Sequence, residues 1–495
     1  AEAWVQIEAL RQQYADAGLG HGHRVGLLLE QRPEFFFHYL ALNGLGCGIV
    51  PINPDYRHDE MLYQMDHSEA DIVITLESRA EDLRRVAAER DKPLPVVRFE
   101  SFTDDLPRLS PAPFDGPPGP STEISLLYTS GTTGRPKGCI LSNEFYIQGG
   151  RWYLSMGGKL SFDAPERIIN PLPFFHVNAQ AICATAVFLS GGCLIAPDRF
   201  HPSTWWKDVV ATGATAMHYL GVVPPLLMNQ PVTPEEKQHK LRFGTGAGLE
   251  PELHAPFEER FGFPLVEVWG MTETGRVLAD CHEPRRIDTR AFGKPLAGLE
   301  ARVVDDDDND VGPDADGELL VRYNAEKPRK HFFSGYLKNE EETEKSWRGG
   351  WFHTGDTVRQ GEDGMLYFVD RKKNIIRRSG ENIAAAEIEA CLQSHDQVAQ
   401  VAVLPVEDEI RDEEVLACIV AMPGAPADAA QARALFDWCF ARQAYYKAPG
   451  WLLFVDSLPT TGTQKIQKAQ IFDADEDPRE NPAINDFRAL KKRHR

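Results

Sequence analysis

The sequence predicts an α/β protein: a large N-terminal body of mainly parallel sheets flanked by helices, a small β-rich subdomain, and a smaller α+β domain at the C-terminus. Three observations carry this expectation. The 495 residues exceed what one hydrophobic core usually organises, so at least two domains are needed. From Arg24 onward, short β-branched runs alternate with helix-period stretches, the pattern of crossover units that build parallel sheets. Beyond Arg290 the texture turns to short strands and turns, and after Asp370 helices and strands alternate in a second compact set.

The first residues, AEAWVQIEALRQQYADAGLG, read as an amphipathic helix closed by glycine rather than a basic, apolar signal peptide. Position 1 is not Met, so a longer natural N-terminus is expected. RVGLLL follows, then a helix from Pro33 to about Leu45, GIVPIN, a helix around Glu60 to His67, and DIVIT. Residues 107 to 120, PRLSPAPFDGPPGP, read as an exposed connection. The runs EARVVDDDDND, GELLVRY and GMLYFVDRK supply strands of a β-rich subdomain over about 291–369, closing an N-terminal domain of 1–369. A hinge at Asp370 opens the second domain, 370–495, with a helix at Ala385 to Gln393, strands VAQVAVLPV and EEVLACIVAM, a helix at Ala427 to Ala444 and the strand WLLFVD.

Composition excludes several functions. Lys plus Arg number 53 and Asp plus Glu 74, a net charge of −21 that repels a phosphate polymer and disfavours nucleic acid. The basic end Lys491 to Arg495 reads as a solvated terminus. Eight cysteines without a C-x-x-C spacing argue against disulfides and zinc, and place the chain in the reducing cytoplasm. The most apolar stretch, Ala179 to Ala196, falls short of the ~20 residues of a spanning helix, so no membrane segment is expected. In the acidic run Asp305 to Asp310, Asp307, Asn309, Gly312 and Glu318 match four positions of a calcium loop. Val311 fills the fifth ligand position and strands flank the run, so a solvated β-turn is expected instead.

The chemistry concentrates first in SLLYTSGTTGRPKGCILS, residues 125 to 142, where an apolar strand runs into a loop of small and hydroxyl-bearing residues. Gly131, Gly134 and Gly138 permit turns that expose N–H groups to an anion; Thr129, Ser130, Thr132 and Thr133 add donors, and Lys137 a positive charge. The spacing is not a Walker A, and composition alone leaves a flexible turn as the competing reading. Neither G-x-S-x-G nor H-E-x-x-H occurs, and in GTGAG at 244 to 248 Leu249 occupies the place of a third dinucleotide-binding glycine.

YTSGTTGRPKG closely resembles the signature loop of the adenylate-forming superfamily, which includes acyl-CoA synthetases, luciferase and peptide-synthetase adenylation domains. The resemblance covers nearly the whole chain. PLPFFH at 171 to 176, GAGL at 246 to 249, VWGMTETG at 268 to 275, GWFHTGD at 350 to 356, DRKKNIIRRSGENI at 370 to 383 and LPTTGTQKIQK at 458 to 468 follow in the family's order. It implies an acyl-CoA ligase that uses ATP, Mg²⁺ and coenzyme A, acts on a small to medium carboxylic acid, and works as a monomer or homodimer with a mobile C-terminal lid.

The resemblance also implies residue roles. Trp269, where Tyr is usual, faces adenine beside Gly270 and Met271, with Gly246, Ala247 and Gly248 lining the nucleotide. Glu273 holds Mg²⁺, Thr272 donates to a phosphate, Asp356, read as lying in a turn after Thr354 and Gly355, takes the ribose hydroxyls, and Arg371 reaches the nucleotide. Lys465 enters from the small domain to stabilise charge at the α-phosphate. Gly380, Glu381 and Asn382 swing in for the second step and line the pantetheine channel. Gln464, where glycine is commonest, and Asn374, in place of a frequent Asp, depart from the pattern.

For the acyl pocket the resemblance points to His176 as a gate, Val177, Asn178, the turn Gly221, Val222 to Pro224, Gly246 to Gly248, and Met271. A satisfied core histidine is the competing reading of His176. PLPFFHVNAQ lacks the Asp that holds an amino-acid substrate, and the overall look faintly resembles the crotonobetaine/carnitine-CoA ligase group, a resemblance that does not name the acid. The alternatives are an enzyme loading a carrier protein and a silent nucleotide-binding homologue. Retention of Lys465, Glu273 and Asp356 argues against the latter.

Overall fold

The computed structural model describes residues 2–129, 135–371, 375–459, 466, 468, 471–473 and 476–492; of residues 370, 371, 375, 382, 384 and 386 it describes the backbone alone. The chain divides into two compact units: residues 1–54, 64–129 and 138–372 form one, and 55–63, 130–137 and 373–495 the other.

The larger unit contains three sheets. The first runs in the order Gly335–Tyr336, Lys137–Ser142, Glu123–Thr129, Gly48–Pro51, Arg24–Leu28, Ile72–Thr75, Val96–Arg98. Its centre is parallel, with Val25 opposite Ile49 and Ile72. Such strands are covered on both faces, so Ile49, Val50, Ile72, Val73 and Ile74 are all fully buried and read as unbroken apolar runs. The helix Pro33–Asn43 connects Arg24–Leu28 to Gly48–Pro51, and the helix His58–Ser68 connects Gly48–Pro51 to Ile72–Thr75, with its residues 64–68 in this unit and 58–63 in the other.

The second sheet orders Leu278–Ala279, Leu265–Trp269, Phe243–Ala247, Ala216–Leu220, Arg167–Ile169 and Cys193–Ile195, parallel except at the Leu278–Ala279 edge. The apolar stretch expected from 179 to 196 breaks into a π-helical run Asn178–Ala184, a helix Thr185–Ser190 closed by left-handed Gly191, and the strand Cys193–Ile195. Among the described residues, no helix is long and apolar enough to cross a membrane.

The third sheet is antiparallel: Ala291–Gly293, Leu366–Arg371, Phe352–Gln360, Asp316–Arg322, Glu300–Val304. The acidic run lies between its last two strands as the expected turn. Asp305 Oδ1 accepts the N–H groups of Asp307 and Asn309, both at 2.9 Å, so that carboxylate is engaged by its own backbone.

In the smaller unit, strands Glu381–Ala384, Ile375–Arg378, Asp412–Ala421, Trp451–Phe454 and Asn485–Asp486 form one sheet, with Val398–Asp408 paired to Asp412–Ala421. Helices Ala385–Gln393 and Ala429–Arg442 pack on it through Ile388, Leu392, Leu435 and Phe436.

The C-terminal run corrects the sequence expectation at its first residue. Lys491 is buried, not solvated, and its ammonium donates to Glu414, whose other oxygen accepts Arg378 Nε at 2.7 Å. Burial pulls the Lys491 ammonium down to about 7, against the attraction of Glu414. Residues 493–495 lie outside the described residues.

Candidate nucleotide site and acyl pocket

The strand Leu265–Trp269 ends on a side chain that reaches into another sheet. Trp269 Nε1–H donates to Asp356 Oδ2 at 2.8 Å, with both residues buried, at 5% and 3% exposure. Indole is a donor only, and a carboxylate accepts only, so this pair has one possible sense.

Asp356 does not sit in a turn, as its Thr-Gly-Asp context suggests. It lies within the strand Phe352–Gln360 at a bulge, where the pairing steps from Glu318 opposite Thr357 to Leu320 opposite His353. Gly355 takes φ +72°, Thr354 Oγ1 donates to Leu319 O at 2.7 Å and accepts Asp356 N–H at 3.1 Å, and Gly355 N–H donates to Glu318. Glycine at the left-handed position lets the sheet absorb the extra residues. The register also sets Asp356 directly opposite Arg371, placing their Cα atoms within about 5.5 Å on adjacent antiparallel strands.

Glu273 is 5% exposed rather than a solvated charge. Tyr336 O–H donates to its Oε1 at 2.9 Å, and Phe333 N–H donates to its backbone carbonyl, also at 2.9 Å. Burial and the Glu273 charge hold the Tyr336 phenol far above its usual range, so it remains a donor. Tyr336 pairs with Cys139 on the strand that follows the Gly/Thr loop, and Thr129, ending the strand before that loop, lies 3.9 Å from Cys139 Sγ through its Oγ1. A buried carboxylate fits a hard cation. Among the described residues no group of three His, Cys, Asp or Glu side chains that could hold a metal ion is present.

Thr272 and Met271 are half-buried in the turn after Trp269, which Thr274 closes by donating to Met271 O at 3.1 Å. At Gly246 a Cβ would meet Tyr219 O at 2.2 Å, and at Gly221 one would meet Gly248 O at 2.1 Å. The two strand ends are therefore pressed together backbone to backbone, which only glycine permits. Val177, Met271 and Leu220 are partly buried against one core cluster, and His176 packs its ring 4.5 Å from that of Phe175.

The structure thus brings together Trp269, Asp356 and the backbone of Arg371, and separately Glu273 with the strand after the loop. Ser130, Gly131, Thr132, Thr133, Gly134 and Lys465 lie outside the described residues, as do the side chains of Arg371 and Asn382. Lys137 opens its strand. Gly380 and Glu381 belong to the smaller unit, where Ser379 (φ +51°) and Gly380 (φ +87°) form a two-residue hairpin turn with Arg378 opposite Glu381.

Sequence reasoning missed Glu267. Its carboxylate accepts Tyr219 O–H at 2.5 Å and Gly248 N–H at 2.9 Å, anchoring the GAGL turn, and burial pushes it up to about 7. The available signal was a lone acid inside the apolar strand VEVW.

The profile of AMP-binding enzymes matches residues 2–337, and that of the AMP-binding enzyme C-terminal domain residues 387–465. The chain belongs to the AMP-binding enzyme family. This AMP-binding enzyme is 29% identical over 481 residues to a crotonobetaine/carnitine–CoA ligase of Proteus mirabilis, covering 94% of this chain and 91% of that one. It is 30% identical to a sulfoacetate–CoA ligase of Cupriavidus necator, covering 93% and 89%. Among solved structures, an o-succinylbenzoate CoA synthetase from Bacillus subtilis bound to a product analogue superposes with a TM-score of 0.81 at 25% identity, covering 95% of this chain and 92% of that one.

Trp269→Phe keeps an aromatic face but removes the donor to Asp356. A lost hydrogen bond to a buried charge is worth roughly 10- to 100-fold, so kcat/KM for ATP is expected to fall by that factor. The ATP dependence of pyrophosphate release measures it; a change under twofold would count against the expected ribose role of Asp356 with Trp269 as its holder.

Proposed function

We propose that this AMP-binding enzyme is an ATP-dependent acid–thiol ligase that converts a small to medium carboxylic acid to its acyl-CoA through an acyl adenylate. The observation that carries the reading is the Trp269–Asp356 hydrogen bond, which joins segments 87 residues apart and supports reading the two as parts of one adenosine site. The substrate carboxylate attacks the α-phosphate of ATP, pyrophosphate leaves, and the thiol of coenzyme A then displaces AMP from the acyl carbon. Mg²⁺, carried with the polyphosphate, offsets negative charge there.

In this reading Asp356 orients the ribose, Trp269 holds Asp356 and faces adenine, and Glu273 with Thr272 receives the cation and phosphate. Lys465 serves the first half-reaction. Gly380, Glu381 and Asn382 serve the second, after the domain 370–495 turns about Asp370. His176, Val177, Asn178, Gly221, Val222, Gly246 and Met271 surround the acyl chain. The enzyme works in the cytoplasm as a monomer or homodimer, away from nucleic acid and membrane, in keeping with its charge of −21.

The test is pyrophosphate release from ATP across short, branched, aromatic and medium-chain acids, with thioester formation followed on free CoA and on a phosphopantetheinyl carrier protein. Release that requires an acid, with the thioester formed on free CoA, is the expected result. Transfer to the carrier protein alone would overturn the choice of acceptor.

A further inference from the structure

Beside the expected acyl pocket runs a chain of buried polar groups whose orientations are fixed from one end. Leu172 N–H donates to Asn170 Oδ1 at 2.9 Å, which turns the Asn170 amide nitrogen toward Asn178, 3.4 Å from its Oδ1. His218 Nδ1 stands 2.8 Å from the same Asn178 oxygen. Two donors converge there; the opposite rotamer of the amide would set two NH₂ groups against each other. His218 Nδ1 therefore carries the ring proton, and Nε2 accepts from Tyr153 O–H at 3.0 Å. Both His218 and Tyr153 are 2% exposed.

This arrangement leaves one group pointing elsewhere. Asn178 is half-buried, and its amide nitrogen has no protein hydrogen-bond partner among the described residues. Val177 precedes it in the chain and Leu220 lies two residues beyond His218 on the strand Ala216–Leu220; both, with Met271, are partly buried against one core cluster. Burial also pulls His218 down to about 3, so the ring stays neutral and the amide keeps its orientation at working pH.

We propose that the Asn178 amide N–H groups bind the acyl group itself, so that the enzyme selects acids bearing a hydrogen-bond acceptor, such as a hydroxyl, oxo or second acidic group, away from the carboxylate that is activated. This deepens the ligase reading and rests on it. An unsubstituted acid fills the same space but leaves a desolvated donor without a partner, which disfavours it by roughly tenfold. His218 and Tyr153 act as positioning residues through Asn178.

The experiment compares kcat/KM, from pyrophosphate release at saturating ATP, for matched acids: butanoate with 3-hydroxybutanoate and 3-oxobutanoate, and pentanoate with 4-oxopentanoate. The enzyme is expected to favour an acceptor-bearing member of at least one pair by roughly tenfold, and Asn178→Leu to bring that ratio to about 1. Asn178→Asp, nearly the same shape with donors replaced by acceptors, is expected to invert it, and serves if the leucine variant fails to fold. Preference for the unsubstituted acid in every pair, or a ratio that survives both substitutions, overturns the proposal while leaving the ligase reading intact. Absence of acid-dependent pyrophosphate release overturns the ligase reading and this proposal with it.

Discussion

Glu273→Gln is expected to slow acyl-adenylate formation by at least about 10² while leaving the fold intact. The amide keeps the volume and an oxygen that can still accept Tyr336 O–H, now at 2.9 Å from Oε1, so packing and that hydrogen bond persist. What disappears is a negative charge in a site that is 5% exposed, where its effect on a cation is least screened by water. The Mg²⁺ concentration needed for half-maximal pyrophosphate release should rise together with the loss of rate. Thermal melting of the two proteins separates this from unfolding. A variant slowed without any change in its Mg²⁺ requirement would remove Glu273 from the cation site.

Lys465→Ala is expected to lower adenylation by at least about 10² and to spare thioester formation from supplied acyl adenylate. In the proposed cycle Lys465 brings positive charge to the α-phosphate, which would stabilise the transition state more than the bound ATP, so kcat should fall rather than the affinity for ATP. The second half-reaction expels AMP from a carbonyl and, in the proposed cycle, takes place with Gly380 rather than Lys465 at the site. Assays that start from ATP plus acid, and from acyl adenylate plus CoA, read the two steps apart. Equal losses in both would refute the alternation of the two loops.

Much of the fold was legible because parallel strands covered on both faces are continuous apolar runs: RVGLL, GIVP and IVIT can be read without knowing their neighbours. The order of the motifs was equally legible, and the family assignment followed from it. Contacts made across distant segments were not. Thr354-Gly355-Asp356 has turn composition, and only the pairing with Asp316–Arg322 turns it into a bulge. Lys491 looked like any basic terminus, because its partner Glu414 lies 77 residues away. Glu267, His218 and Tyr336 carry no motif; each matters through a partner on another strand or loop, Tyr219, Asn178 and Glu273 respectively.

Tyr336 touches two segments expected to handle the same ligand. Its backbone pairs with Cys139, just downstream of the Gly/Thr loop, while its phenol holds the Glu273 carboxylate. One rigid ring thus works as a spacer bar, setting the gap between the strand leaving that loop and the acidic group. Shortening that ring, as in Tyr336→Ala, would cut the side chain that links this strand to the acid, so the two segments would lose their common strut while each kept its own backbone pairing.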